Sequence, residues 1–125
     1  MKKILIVDDE PQILDLLQAR LEANQYEVFR AQDGCEAIKN VSMHKPDLII
    51  MDIMMPNLSG GDAVRVLQSD AATKNIPVIF LTVLTADALK GEEKKINVDG
   101  QFYISVGKSF KSEELLSRIR ELLRE

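Results

Sequence analysis

The sequence predicts an α/β fold in which one parallel sheet is covered by helices on both faces. Five short apolar runs alternate with longer segments whose apolar residues recur at helical spacing. The runs are almost uniformly apolar, which is typical of strands buried on both faces of a parallel sheet. Five strand–helix units within 125 residues leave room for one domain with a sizeable core. We expect a three-layer sandwich with strand order 2-1-3-4-5.

The first three strand–helix units carry the clearest pattern. Their predicted strands read KILIVD, YEVFRA and DLIIMD. The first helix begins near Pro11, which suits a first helical turn, and it has apolar residues at Ile13, Leu14, Leu16, Leu17 and Leu21. The second and third helices correspond to GCEAIKNVSM and SGGDAVRVLQSD.

The last two units are less regular. The fourth strand, IPVIFLT, opens with Pro77, a residue tolerated at the start of a strand. The segment TADALKGEEKKIN is predicted to be a polar helix interrupted by Gly91, and QFYISV is the fifth strand. The final segment, KSEELLSRIRELLRE, has the pattern of a strong amphipathic helix with Ser112 as its N-cap.

Composition and charge argue against several classes of function. A net charge of −4 and a pI near 5.1 argue against direct binding of nucleic acid. No apolar run approaches the ~20 residues that a membrane span needs, and the single cysteine suits a reducing compartment. We therefore expect a cytoplasmic protein in which residues 1–125 form one domain, with no effector domain and no membrane contact.

Polar residues follow four of the predicted strands. In a sheet of this order, the functional crevice lies beyond the carboxyl ends of the strands, near the switch point between strands 1 and 3. The residues at these ends are Asp8, Asp9 and Glu10 after strand 1, Asp52 after strand 3, Thr82 after strand 4 and Lys108 after strand 5. We expect these acids, the hydroxyl and the ammonium group to converge on one rim.

The expected chemistry follows from charge. Carboxylates held close together repel one another, and a hard divalent cation such as Mg²⁺ relieves that repulsion. One carboxylate can then attack phosphorus, while a lysine and a hydroxyl bind the phosphoryl oxygens. A solvated acidic turn would also explain Asp8 and Glu10. It explains Asp52 poorly, because an unpaired aspartate is costly at the end of so apolar a strand.

Four stretches of the chain resemble the receiver domains of two-component response regulators. They are ILIVDDE, PDLIIMDIMMPNLSG, IPVIFLT and KSFKSEEL, and they occur in the family's order and at its spacing. The resemblance covers the whole length, and its most specific part is the stretch DIMMP followed by glycine after an apolar strand. It implies the CheY-like, flavodoxin-like (βα)5 fold.

The resemblance also implies a role for each residue at the rim. Asp52 would be the phosphoacceptor, and Thr82 and Lys108 would bind its phosphoryl group. The Mg²⁺ ligands would be Asp8 (mainly through water), Asp9, Asp52 and the backbone carbonyl of Met54. Two switch residues are also implied: Thr82, which would move toward the phosphoryl group on activation, and an aromatic residue on strand 5, for which Tyr103 is the candidate.

The function implied by the resemblance is that of a phosphoryl-accepting switch. The donor would be a phosphohistidine on a sensor histidine kinase or a phosphotransfer protein. Phosphorylation would shift the face made by the fourth helix, fifth strand and last helix, to which a downstream protein or effector domain binds. Such a protein catalyses only its own phosphorylation and dephosphorylation, and it is a monomer or a phosphorylation-dependent dimer.

The chain departs from the family's pattern at three places. Val83 stands where a small residue is usual, and Ser109 stands where proline usually follows the lysine. Ser105 occupies the place three residues before the lysine where the switch aromatic is usual, as though a short insertion or bulge near Val106 and Gly107 had moved Tyr103 back. These departures raise an alternative, a degenerate receiver that binds a partner without phosphorylation.

Three other classes of protein fit the sequence less well. A haloacid-dehalogenase-type phosphatase needs a second Asp two residues after the first, where this chain has Met54. A flavodoxin needs a phosphate-binding loop after strand 1, and a dinucleotide-binding domain needs a glycine fingerprint there. This chain has DDEPQ at that place.

The residues two positions beyond Asp52 and Thr82 are Met54 and Leu84. Because neither side chain can orient a water molecule for hydrolysis, we expect slow self-dephosphorylation.

Overall fold

The computed structural model describes residues 1–53, 55, 57–82, 94–98, 100–107 and 111–124. Within these residues one sheet contains six strands in the order β2-β1-β3-β4-β6-β5. The strands are β1 (Lys3–Val7), β2 (Glu27–Ala31), β3 (Leu48–Asp52), β4 (Val78–Thr82), β5 (Lys94–Val98) and β6 (Gln101–Gly107). The helices are α1 (Pro11–Ala23), α2 (Gly34–His44), α3 (Gly60–Gln68) and α4 (Ser112–Leu123).

The two faces of the sheet form two separate apolar cores. One face of β1, β3 and β4 packs against α1 and α4, and its centre includes Ile6, Ile50 and Leu81. The opposite face packs against α2 and α3, and its centre includes Met51 and Phe80. Burial of apolar surface on both faces explains why the central strands read as continuous apolar runs. None of the helices in the described ranges is long and apolar enough to cross a membrane.

The predicted parallel sheet is confirmed, and one edge carries an additional strand. β2, β1, β3, β4 and β6 pair in parallel in the predicted order. β5 pairs with β6 antiparallel, with Ile96 opposite Tyr103. The predicted polar helix TADALKGEEKKIN is therefore wrong at residues 94–97, where pairing with β6 imposes a strand. Its residues 85–93 lie outside the described ranges.

The ladder between β4 and β6 runs without interruption to the end of both strands. Phe80 pairs with Ser105, Leu81 with Val106 and Thr82 with Gly107. The expected bulge near Val106 and Gly107 is therefore wrong, because a bulge would set two residues of one strand opposite one of the other. Ser105 thus lies in the regular strand, three residues before Lys108.

The starts of the first and last helices lie within one residue of the prediction. α1 begins at Pro11 as predicted. The N-cap of α4 is Lys111 rather than Ser112, because the Lys111 carbonyl already accepts the backbone N–H groups of Glu114 and Leu115. On α1, Leu14, Leu17 and Leu21 are buried, whereas Leu16 is 42% exposed.

Strand alternation places Asp8 and Asp52 on the same face of the sheet. Side chains two residues apart along a strand share a face, so Asp52 follows Leu48 and Ile50 toward α1 and α4. The Asp8 backbone N–H donates to the Ala31 carbonyl at 3.1 Å, which extends the β1–β2 ladder by one residue. Asp8 therefore follows Ile4 and Ile6 onto that same face.

Candidate functional site

Asp8 is a buried carboxylate at the carboxyl end of β1. Its side chain is fully buried, although the two acids that follow it are exposed. One carboxylate oxygen, Oδ1, accepts the Glu10 backbone N–H at 2.9 Å, a local bond that turns the chain into α1. The Glu10 carbonyl then accepts from Ile13 and Leu14 as the helix begins. A solvated acidic turn does not describe Asp8, because solvent does not reach it.

Asp8, Asp9 and Glu10 form a compact set of hard oxygen donors. One carboxylate oxygen from each of the three lies within 4.8 Å of the others. Negative charges at this spacing repel one another, and a small divalent cation with oxygen ligands relieves the repulsion. Oxygen donors without sulfur or imidazole suit Mg²⁺ rather than a softer transition metal. The residues present therefore fit a magnesium ion.

Asp52 ends β3 beside the end of β1. Val7 and Met51 are partners in the parallel ladder, so Asp8 and Asp52 are the next residues on two neighbouring strands. Adjacent strands lie about 4.8 Å apart. Asp52 is only 4% exposed, and every residue of β3 is buried. The structure thus brings a second buried carboxylate to the face and level of Asp8.

The backbone that leaves Asp52 is closely packed at its base. The Ile53 N–H donates to the Leu81 carbonyl at 3.2 Å, and the Gly60 N–H donates to the Ile53 carbonyl at 2.8 Å. A Cβ atom at Gly60 would lie 2.3 Å from the Asp52 carbonyl oxygen and 3.1 Å from the Ile53 Cα. A side chain at position 60 would therefore displace the backbone on which Asp52 sits.

The same backbone contacts the start of α2, which the sequence did not predict. The Asn57 amide donates to Asp33 Oδ2 at 3.1 Å, and the other Asp33 oxygen caps α2 by accepting the Glu36 N–H at 2.8 Å. A Cβ atom at Gly34 would lie 2.6 Å from the Leu58 carbonyl oxygen. The Glu36 N–H, foremost, and the Asn57 amide hold the pKa of Asp33 below its ordinary value of 3.8. An aspartate and a glycine at a helix start signal a cap, but not a contact with residues 24 positions away.

Two predicted site residues, Met54 and Lys108, lie outside the described ranges, and only the backbone of a third, Thr82, is described. The Thr82 backbone ends β4 and pairs with Gly107, which places it one position beyond Leu81, the ladder partner of Asp52. Lys108 follows Gly107 directly but lies outside the described ranges, as do Met54, Val83 and Ser109. Among the described site residues, Asp8 and Asp52 end neighbouring strands, and Asp9 lies in the acidic cluster at the end of β1.

Tyr103, the predicted switch aromatic, faces α3 and is buried. It is 8% exposed, and its ring meets Phe80 edge-to-face with centroids 5.7 Å apart. Its hydroxyl accepts a hydrogen bond from the Gln68 amide, which also donates to the Val98 carbonyl at 3.3 Å. Ser105, two residues closer to the rim, is 5% exposed. Tyr103 and Ser105 share the face that packs against α3.

Comparison with known proteins gives one consistent family. Residues 4–120 match the family described as the response regulator receiver domain. The polar-differentiation response regulator DivK of Brucella anthropi is 39% identical over 105 residues, which are 83% of each chain. The transcriptional regulator RpaA of Synechocystis is 37% identical over 126 residues, covering 99% of this chain but only 50% of RpaA.

The solved structures that resemble this chain also include receiver domains. The chemotaxis protein CheY4 of Vibrio cholerae is 30% identical with a TM-score of 0.82, and the match covers 98% of both chains. The receiver domain of a Pseudomonas aeruginosa sensor histidine kinase is 27% identical with a TM-score of 0.82, covering 99% of this chain and 98% of that one. A magnesium ion is coordinated in the active-site cleft of that kinase receiver.

Proposed function

Because the chain belongs to the response regulator receiver family, we propose that it accepts a phosphoryl group on Asp52 from a phosphohistidine. The donor is a sensor histidine kinase or a phosphotransfer protein. One observation carries the proposal most directly: Asp52 ends a strand whose every residue is buried, and it is level with the buried Asp8, which two exposed acids follow along the chain. A carboxylate in this position is presented to phosphorus with its backbone already fixed.

The residues proposed to hold Mg²⁺ are Asp8, Asp9, Asp52 and the backbone carbonyl of Met54. Asp9 is exposed and can bind the metal directly, whereas the Asp8 carboxylate also accepts the Glu10 N–H and suits a contact through water. The bound ion would supply positive charge that offsets the carboxylates and the phosphoryl oxygens. Asp8 and Asp9 belong to the cluster of three acids at the end of β1, which supports their part in this assignment.

The proposed reaction is a single in-line displacement. An Asp52 carboxylate oxygen forms the new bond to phosphorus while the bond from phosphorus to the donor's imidazole nitrogen breaks. The electron pair of that bond returns to the nitrogen, which takes up a proton, and the product is an acyl phosphate. Lys108 and Thr82 bind the phosphoryl oxygens, which carry the charge in the transition state.

In the proposed signalling step, phosphorylation shifts the equilibrium between two conformations of the output surface, which lies beyond β4 in the sheet. We assign the output surface to β5, β6 and α4, because β5 occupies part of the segment predicted to be a helix. Tyr103 is the proposed switch residue, and its bond to Gln68 stabilises the conformation seen here. The protein acts on no substrate other than its own Asp52.

Incubation with a small phosphodonor and Mg²⁺, followed by intact-mass measurement, tests the function. We expect a gain of one phosphate that is absent without Mg²⁺ and absent in Asp52→Ala. No gain in the wild-type protein would favour a module that binds its partner without phosphorylation. Catalytic turnover of a phosphoester would favour a phosphatase.

A further inference from the structure

We propose that Asn57 is a positioning residue for the Mg²⁺ site, acting through its hydrogen bond to Asp33. The inference rests on the proposed function, in which the backbone after Asp52 supplies a metal ligand. Neither Asn57 nor Asp33 belongs to the ligand set. Their bond instead joins the segment between Asp52 and α3 to the first turn of α2, and so sets the path of that segment.

The Asn57 side of the contact is built for this role. The Asn57 amide lies 3.1 Å from Asp33 Oδ2, and the Asn57 backbone has a φ of 69°. Asparagine is one of the few residues with a side chain that adopts this left-handed conformation readily. The next residue, Leu58, lies so close to α2 that only a glycine at position 34 leaves room for its carbonyl.

The Asp33 side is also held in place. Its Oδ1 caps α2 by accepting the Glu36 N–H at 2.8 Å, and the Glu36 carboxylate accepts the Gln32 N–H at 2.8 Å. The first bond fixes the Asp33 carboxylate relative to the helix, and the second ties the residue before this N-cap to the same helical turn. Asp33 therefore offers Asn57 an acceptor whose position is set by α2 rather than by the segment itself.

The segment after Asp52 is thus anchored at two levels. At its base, Gly60 bonds to Ile53 and packs on the Asp52 carbonyl. Near its turn, Asn57 bonds to Asp33 and Leu58 packs on Gly34. Groups that orient a metal ligand without touching the metal commonly change metal affinity by about 10-fold or more. Loss of the upper anchor should therefore weaken Mg²⁺ binding with every proposed ligand still present.

Mg²⁺ affinity, measured by calorimetry, tests the inference without requiring phosphorylation. Asn57→Gly keeps the left-handed backbone and the net charge but removes the amide, and we expect Kd for Mg²⁺ to rise about tenfold. Asn40→Ala is the matched control, because it removes an amide bonded to the Glu36 carbonyl on α2 without touching the segment. Its Kd should stay within about twofold of wild type.

A reciprocal exchange separates positioning from general stability. Asn57→Asp alone places a second carboxylate next to that of Asp33, and their repulsion should displace the segment between Asp52 and α3. Asp33→Asn combined with Asn57→Asp restores the bond with donor and acceptor exchanged, because the new amide oxygen can cap Glu36 while its nitrogen donates to position 57. Net charge then equals that of wild type, and we expect Kd within about threefold of wild type.

The outcomes distinguish this inference from the proposed function. A weaker Kd in Asn57→Gly that recovers in the exchanged pair supports the inference, even if no variant or wild-type protein is phosphorylated. An unchanged Kd in Asn57→Gly overturns it, whether or not the variant is less stable to heat. Wild-type protein that binds no Mg²⁺ overturns it as well.

Discussion

Asp52 leaves β3 beside the point where Asp8 leaves β1, because the residues before them, Met51 and Val7, are partners in one parallel ladder. Both carboxylates are buried, and both lie on the face that α1 and α4 cover. Like charges at two neighbouring strand ends repel each other. A cation can relieve that repulsion, which links the stability of the protein to its proposed chemistry.

Asp8→Asn should therefore stabilise the protein in the absence of Mg²⁺. The amide oxygen can still accept the Glu10 N–H, and the charge of the buried member of the cluster is removed. We expect the free energy of unfolding in urea to rise by about 1 kcal/mol without Mg²⁺, and the stabilisation by added Mg²⁺ to fall. Asp9→Asn, at an exposed acid, should change the Mg²⁺-free value by less than about 0.5 kcal/mol. A less stable Asp8→Asn variant without Mg²⁺ would contradict the account.

Gly60→Ala and Gly61→Ala should have opposite effects on stability. A Cβ at position 60 would overlap the Asp52 carbonyl, whereas a Cβ at position 61 meets no atom within 4 Å. We expect Gly60→Ala to lower the free energy of unfolding by about 1–3 kcal/mol and to slow phosphorylation. Gly61→Ala should raise it by about 0.5–1 kcal/mol, because alanine favours the helix. Equal effects at the two positions would refute the close approach.

The bonds to Asp33 predict a specific dependence of stability on pH. Because its pKa is lowered in the folded state, Asp33 stabilises the protein above its ordinary pKa of 3.8, and this contribution is lost as pH falls through the folded value. The difference in unfolding free energy between wild type and Asp33→Asn should be constant above about pH 5 and should shrink in acid. Asn57→Gly should weaken this acid dependence. A difference that does not change with pH would contradict the bonds seen here.

Tyr103 and Gln68 should be energetically coupled. Tyr103→Phe removes the hydroxyl and keeps the edge-to-face contact with Phe80, while Gln68→Leu removes the amide donor. A double-mutant cycle on unfolding in urea should give a coupling of about 0.5–1.5 kcal/mol. Additive effects would mean that this bond does not stabilise the conformation assigned to Tyr103.

The phosphorylated form should persist for minutes or longer in Mg²⁺. Neither Met54 nor Leu84 has a polar side chain that could orient a water molecule for attack on phosphorus. Intact-mass measurement at intervals after removal of the phosphodonor gives the lifetime. Loss of the phosphoryl group within seconds would contradict the expectation.

Much of the fold follows from local pattern, and the exception has a physical reason. The five parallel strands and the helices α1 to α4 each have apolar residues at the right period, so packing and local preference agree. β5 lacks such a pattern, because only two of its five residues, KKINV, are apolar. The segment before it is charged and contains glycine, which also does not indicate a strand. β5 forms through pairing with β6, and such pairing at a sheet edge depends on the neighbouring strand rather than on its own sequence.

The site was predictable only where it follows from strand ends. Asp8, Asp9 and Asp52 follow apolar strands, and a parallel sheet brings those ends together. The burial of Asp8 is less visible in the sequence, because DDE reads as a solvated turn. The bond between Asn57 and Asp33 depends on how the segment after Asp52 meets α2, which no local pattern encodes.

Trapping of the acyl phosphate tests the central claim most directly. Borohydride reduces an aspartyl phosphate to homoserine, which peptide mass mapping can locate after treatment with a small phosphodonor and Mg²⁺. We predict homoserine at position 52, none in the peptide that contains Asp8, Asp9 and Glu10, and none without Mg²⁺. Homoserine at Asp8 or Asp9, or the five-carbon alcohol 5-hydroxynorvaline at Glu10, in place of homoserine at position 52 would contradict the assignment of Asp52 as the phosphoacceptor, and so would the absence of any reduced residue.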